Sequence, residues 1–274
     1  MINLIIWSKD RACQLDLLLR SIAEYAPNIF SPTIIYKYSN ESYRKAYDKL
    51  KDSQHILDNT FLHETDFYTD NIGLIKNPIF DHISFSTDDT VIYKPFPIKP
   101  YFSLVKYLPK NDSEVFSFRL GLNTIVQDLY NQLNQPALNR YVKIDECVYW
   151  NALEYSSVHN YGYPFGLDLH VYRRTLLEGL LSKIGKFNSS NELETKLFKY
   201  RTCANYMGSF RQSVAVNIPV NNMSGITQAG MKHSYTNEFL NSQYLSGLQV
   251  SLEEISKVDV VGSHQEIPFV WEES

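Results

Sequence analysis

The sequence predicts an α/β fold with a mixed, mainly parallel central sheet flanked by helices. Three observations predict it. Short apolar strands alternate with amphipathic helices over about the first ninety residues, an order that favours parallel pairing through crossover helices. Of the 274 residues, 44% are hydrophobic, enough to bury a sheet on both faces. One apolar strand, residues 83–87, runs straight into Asp88 and Asp89. In such sheets ligands bind just beyond the carboxyl ends of the strands.

Residues 4–7 make the first strand, and Ser8-Lys9-Asp10-Arg11 ends its pattern. Leu15, Leu18, Leu19 and Ile22 then recur at helical spacing, in a helix that stops before Pro27. Residues 33–38 form the second strand. Ser39 is placed to cap a helix whose inner stripe is Tyr43, Ala46, Tyr47 and Leu50. A weakly patterned third strand falls at 55–57, and a helix or turn within 66–80. Within the stretch 83–93 a further strand ends on the acid pair.

Pro95, Pro97, Pro100 and Pro109 interrupt the next segment, which reads as a loop with a short helix. Residues 115–121 resume as a strand. The polar stretch 123–140 reads as an excursion over the surface, and 149–151 and 162–170 flank a mixed loop. Leu176, Leu177, Leu180, Leu181 and Ile184 define a helix closed by Gly185. Ser189 and Glu192, at capping-box spacing, open another with Leu193, Leu197 and Tyr200 inside. Residues 213–219 read as a strand stopped by Pro219, 221–230 as a loop, 236–259 as peripheral helix and turn, and 267–271 as a short strand or tail.

Composition narrows the function. Twenty-six Lys and Arg against thirty Asp and Glu give a net charge of −4, unlike the basic excess of nucleic-acid binders. Cys13, Cys147 and Cys203 are odd in number and far apart, as expected of buried thiols in a reducing compartment. The N-terminus reads as a core strand, not a signal peptide, and no run approaches the ~20 apolar residues that span a bilayer. A cytoplasmic protein is expected, with peripheral contact at the inner face of a membrane left open. The motif set for dinucleotide, P-loop, zinc-protease and serine-hydrolase chemistry is missing from the sequence.

Adjacent carboxylates at the end of an apolar strand repel, and burial raises the cost. A divalent cation would resolve the conflict and leave room for a phosphate on its other side. A turn-forming pair explains Asp88 and Asp89 equally well in isolation. Trp7, Lys9, Arg11 and Ser39 fall on the same strand-end edge. Arg11 could meet a diphosphate or a nucleobase, and Asp10 a base or ribose group. Asp168 and His170, two apart, would face one way in an extended segment. Asp168 is then a candidate base for an acceptor hydroxyl, or a helix cap. His170 is a candidate metal ligand, acceptor contact or core histidine. Glu192 is accounted for by capping. Glu194 has no such local duty, and is the rival catalytic carboxylate or a solvated helix residue. Arg119 could balance donor phosphate or pair with one of these acids. Trp150 and Tyr163 could stack on a sugar or simply fill the aromatic core. His233 could approach a metal or lie on the surface.

Residues 2–7 with the following helix, 33–38, and Phe85-Ser86-Thr87-Asp88-Asp89 together resemble the nucleotide-sugar glycosyltransferases of the GT-A fold. Phe165-Gly166-Leu167-Asp168-Leu169-His170, residues 187–194 and Val216-Asn217-Ile218-Pro219-Val220-Asn221 are similar to small bacterial members that build cell-surface glycans. The resemblance spans most of residues 1–235 and rests on order and spacing. It implies a single domain, with 1–93 as donor half, 94–235 as acceptor half and 236–274 as a peripheral segment. It implies hexosyl-type transfer from a nucleoside-diphosphate sugar to a carbohydrate or glycolipid hydroxyl. It also implies Mn²⁺ or Mg²⁺ held by Asp89 with Asp88 as partner. Thr87 and Ser86 stand where a strict D-x-D would carry its first acid. Nucleotidyl transfer to a sugar phosphate and non-catalytic carbohydrate binding are the alternatives. Inversion or retention, and homodimerisation, stay open.

Overall fold

The computed structural model describes residues 1–53, 59–97, 106–128, 133–220 and 235–274. Among these, nine strands form the main sheet. Its first half is β1 (Ile2–Lys9), β2 (Phe30–Lys37), β3 (Thr60–His63) and β4 (His82–Thr87). They stand in the order β3-β2-β1-β4 and all run parallel. Helices α1 (Ala12–Tyr25), α2 (Glu41–Lys51) and α3 (Phe67–Ile75) connect them. After Asp88 and Asp89 the chain leaves this sheet as β5 (Thr90–Ile92).

β1 shows why both faces must be covered. Ile2, Leu4 and Ile6 enter one core, with Leu15, Leu18, Leu19 and Ile22 of α1 and Tyr47 and Leu50 of α2. Ile5 and Trp7 enter the other, on the α3 side. A strand buried on both sides reads as a continuous apolar run, as 2–7 does.

Further along come β6 (Glu114–Ser117), the hairpin strands β7 (Val126–Asp128) and β8 (Leu133–Asn134), β9 (Val142–Ile144), β10 (Cys147–Asn151) and β11 (His170–Arg173). Helices α4 (Arg174–Ile184) and α5 (Ser190–Phe198), then β12 (Tyr206–Phe210) and β13 (Ala215–Asn217), follow. The main sheet continues past β4 as β11-β6-β12-β10-β9, and β11 lies antiparallel between β4 and β6. β6 therefore runs the same way as β4, so its carboxyl end and the start of β11 reach one edge. β5 pairs with β13 in a two-stranded sheet beside it.

The last elements are α6 (Asn237–Leu245), β14 (Leu248–Val250), α7 (Leu252–Ser256) and β15 (Trp271–Glu273). Leu240, Tyr244, Val250 and Ile255 join the core around α1. Residues read as peripheral thus close the outer side of α1, where Arg20 pairs with Asp16 at 2.7 Å and donates to the Val250 carbonyl.

Several elements differ from expectation. The third strand is at Thr60–His63, and 55–57 and the 221–230 loop lie outside the described residues. The strand expected to end on the acid pair does so, with β4 stopping at Thr87; past the pair the chain turns away as β5 to meet β13. Within 123–140 Thr124 and Gln135 are buried: Gln135 donates to the Thr124 carbonyl at 2.7 Å, an inward anchor that polarity conceals. Residues 149–151 belong to β10, a main-sheet strand. Cys203 is exposed while Cys13 and Cys147 are buried, and all three are free thiols.

The cap of α2 is Asn40, whose Oδ1 accepts from the Ser42 and Tyr43 amides at 3.0 and 3.2 Å. Ser39 lies one residue too early; its amide donates to Asp10 instead. Ser189 caps α5 as expected, but Glu192 reaches back to the Asn188 amide at 2.8 Å. Gly185 ends α4 at φ +66°, a conformation that costs glycine little. Asn40→Ala should lower unfolding free energy by about 1 kcal/mol in denaturant titrations, and Ser39→Ala by less than about 0.5 kcal/mol. Equal losses would place the cap elsewhere.

Candidate active site at the sheet edge

The loop after β1 sets the first group of side chains. Asp10 adopts φ +57°, and its Oδ1 accepts from the Ser39 amide at 2.7 Å, tying the β1 and β2 ends together. A non-glycine residue held there is uncommon and needs such support. Arg11 follows, its amide donating to the Tyr47 hydroxyl at 3.2 Å. Its guanidinium lies 3.1 Å from Asp88 and 3.7 Å from Asp89. Tyr47 in turn is 2.6 Å from the Ser8 hydroxyl.

Asp88 is 3% exposed. Burial pushes its carboxyl up to about 6, against the pull of Arg11 and with the push of Asp89. Burial alone would lower the Arg11 guanidinium, but Asp88 and Asp89 hold it above its ordinary value. Pairing of both partners is what makes such a cluster tolerable; removing one strands a buried charge.

Asp89 connects this cluster to a second. The Thr87 hydroxyl sits 2.7 Å from an oxygen of Asp89 and 2.7 Å from one of Asp168, with a single proton to donate. The Asn217 amide donates to Asp89 at 3.2 Å and to the Thr90 hydroxyl at 3.0 Å. The Asn217 carbonyl oxygen accepts from Arg119 at 2.8 Å. Arg119 also lies 3.4 Å from Asp168 and donates to His264 Nε2 at 3.1 Å. Burial would raise Asp168, but Arg119, His264, Thr87 and Asn217 hold it below the usual carboxylate range.

Glu194 faces the same pair from α5. Burial first, and then Asp168, push its carboxyl up to about 7, while Arg119 and the Leu167 amide pull it back. Two nearby carboxyls whose environments drive their acidities apart can divide proton-holding and proton-accepting duties.

Asp168 and His170 do not share a strand face. β11 begins only at His170, and Leu169 between them adopts φ +51°, held by an amide bond to the Phe85 carbonyl at 2.7 Å. Asp168 is thereby turned to Thr87 and Arg119. His170 is buried, with Nδ1 3.2 Å from the Pro164 carbonyl, and burial beside Arg119 pushes its imidazole down to about 3. Gly166 passes close over this ring; a Cβ there would come 3.1 Å from it.

The carboxyl ends of β1, β4 and β6 bring Arg11, Asp88, Asp89 and Arg119 to one edge, the start of antiparallel β11 brings Asp168 there, and the strand order is the observation that decides the fold. The chain has a mixed α/β, GT-A or Rossmann-like architecture with a largely parallel β3-β2-β1-β4 sheet. No model of a protein family matches the sequence. Over 202 residues, 68% of the chain, it is 26% identical to the bifunctional glycosyltransferase pgtA of Dictyostelium discoideum. It spans about a quarter of that relative's length, 26%. Among solved structures, TarS residues 1–349 from S. aureus is similar at TM-score 0.49 and 14% identity, over 78% of this chain and 59% of that one. The mannosyltransferase PcManGT of Pyrobaculum calidifontis, solved with GDP-Man and Mn²⁺, is similar at TM-score 0.48 and 13% identity, over 81% and 58%.

Within this GT-A-like frame the remaining candidates are dispersed. Trp7 is 7% exposed, stacks on Phe85 and donates its indole NH to Asn71 at 2.9 Å. Trp150 is 3% exposed, and its indole NH is taken by the Tyr161 carbonyl. Tyr163 stacks on Phe198 at 4.5 Å. Lys9 and Ser39 are exposed beside the edge. His233 lies outside the described residues. The sequence assigns no role to Thr87, Asn217 or His264. Asn217, a polar residue inside an apolar strand pattern, carried a signal; His264 carried none.

Asp88 and Asp89 supply hard oxygens of the type that suits Mg²⁺ or Mn²⁺. Among the described residues no group of three His, Cys, Asp or Glu side chains converges as a metal site. One or two carboxylates completed by substrate phosphates and water is nonetheless an ordinary Mg²⁺ arrangement, so the acid pair fits in donor chemistry.

The Glu194 environment predicts a pH effect. Its folded-state pKa of about 7 lies above the ordinary 4.5, so the folded chain keeps a proton that the unfolded chain releases in that window. Stability from this group is present below pH 4.5 and is lost as pH rises through about 7. Glu194→Gln removes the loss. The melting temperature of the variant minus that of wild type should climb from pH 4.5 to 7 in thermal scans. A flat difference would contradict the burial.

Proposed function

We propose that the chain transfers a sugar from a nucleoside-diphosphate donor to a hydroxyl of a glycan or glycolipid acceptor. The observation that carries this reading is the joined network at the sheet edge: Arg11 with the acid pair on one side, Asp168 with Arg119 on the other, and Thr87 and Asn217 between. A charged leaving group and a deprotonated nucleophile need such neighbouring, differently tuned sites. The similarity to pgtA supports the same reaction class.

In this reading Asp89, with Asp88, would hold Mn²⁺ or Mg²⁺, and the ion would supply positive charge for the departing diphosphate. Arg11 donates to the phosphate oxygens. Asp168, kept ionised by Arg119 and Thr87, accepts the acceptor's hydroxyl proton, as an inverting enzyme requires. Glu194, protonated over more of the pH range, orients the acceptor as a hydrogen-bond donor. Trp7 and Trp150 spend their indole donors inside the core and serve the scaffold. A glycolipid acceptor would bring the chain to the inner face of a membrane. No helix among the described residues is long and apolar enough to cross one.

The test is release of nucleoside diphosphate from a panel of UDP- and GDP-sugars with Mn²⁺ and glycan acceptors. Asp89→Ala should keep its fold and lose at least about 100-fold in turnover. Asp168→Asn should lose about 10²–10⁴-fold with little change in donor binding. Near-wild-type turnover in Asp89→Ala would remove the metal role. Pyrophosphate release from an NTP and a sugar phosphate would instead assign nucleotidyl transfer.

A further inference from the structure

Arg11 touches both carboxylates of the acid pair at once, and it is built to do so. The left-handed turn at Asp10, the Asp10–Ser39 bond and the Arg11 amide bond to Tyr47 fix where its side chain leaves the backbone. Both Arg11 and Asp88 are less than a tenth exposed, so solvent screens their charges weakly. One guanidinium against two carboxylates leaves the cluster at −1 (+1 − 2). A divalent ion added beside them carries it to +1 (−1 + 2) and faces a fixed like charge at contact range. The anionic oxygens of a pyrophosphate reverse that. They offer the guanidinium an alternative partner and return the cluster toward its resting charge.

We propose that Arg11 makes metal occupancy conditional on the nucleotide. It is the acid pair's cation while the donor site is empty, and it moves to the donor's pyrophosphate when that arrives, freeing Asp88 and Asp89 for a divalent ion. Arg11 is thus a positioning residue that sets the order of loading. The inference rests on the transferase reading but concerns binding alone, so it is tested without turnover. By linkage, whatever the nucleotide does for the metal, the metal does for the nucleotide.

The experiment measures Mn²⁺ affinity of the full chain by electron paramagnetic resonance, alone and with UDP or GDP. Wild type should bind Mn²⁺ at least about tenfold more tightly with nucleotide than without. Arg11→Gln should bind Mn²⁺ alone at least about tenfold more tightly than wild type, and the gain from nucleotide should shrink. Arg11→Lys, which keeps the charge, should stay near wild type. A purely structural role would lower the melting temperature without tightening Mn²⁺. Equal or weaker Mn²⁺ binding by Arg11→Gln overturns the proposal. So does wild-type affinity that is the same with and without nucleotide, a result that needs no variant to fold. Binding of both ligands without coupling sinks the Arg11 role alone. Failure to bind either nucleotide with Mn²⁺ sinks the transferase reading with it.

Discussion

Two carboxylates on consecutive residues, one of them almost fully buried, are the constraint around which this chain is arranged. The cost of placing Asp88 in the protein interior is met by a guanidinium that begins seventy-seven residues earlier. That pairing requires β1 and β4 to be neighbours, in register, with their carboxyl ends level. Trp7 opposite Thr87 gives that alignment. The charge pair is a poor source of net stability by itself. It is affordable because apolar burial on both sheet faces holds the strands that carry it.

The second half of the molecule extends the same edge by reversing one strand. β11 runs antiparallel between β4 and β6, so the residues before it arrive where the parallel strands end. Asp168 comes to Thr87 in this way, and Arg119 leaves β6 beside it. The turn at Leu169 has an uncommon backbone conformation for a bulky residue, and two main-chain hydrogen bonds, to Phe85 and Phe118, hold it. Local strain and charge placement coincide here, as they do at Asp10. Of the four left-handed non-glycine residues, Asp10 and Leu169 abut the network, and each is pinned by a bond to another strand or loop.

One hydroxyl and one amide couple the two charge clusters. Thr87 has a single proton between Asp89 and Asp168, and Asn217 bridges Asp89 to Arg119. A change of charge at the acid pair is therefore felt at Asp168 through two bridges of side-chain hydrogen bonds, without any motion of the sheet. His264 takes part from the far end of the chain, so the last forty residues belong to the site as well as to the cover of α1.

The sequence by itself determined the alternating strands and helices, their inward faces and the strand-end position of Asp88 and Asp89. These follow from periodicity and turn chemistry, which act over a few residues. Capping was legible to within one residue: Ser39 and Asn40 are chemically alike, and only backbone geometry at Asn40 selects it. The course of the chain past the pair was not legible, because β5 turns aside to pair with β13, over a hundred residues away. Nor was the division of the aromatics, since an indole at a strand end can face a ligand or the core, and Asn71 settled that for Trp7. The tertiary structure alone decided that Arg11 meets the acids, that Asp168 and His170 part company at Leu169, and that Asn217 and His264 join the site. Such contacts depend on strand order and on the hand of single turns, and a linear pattern carries no record of either.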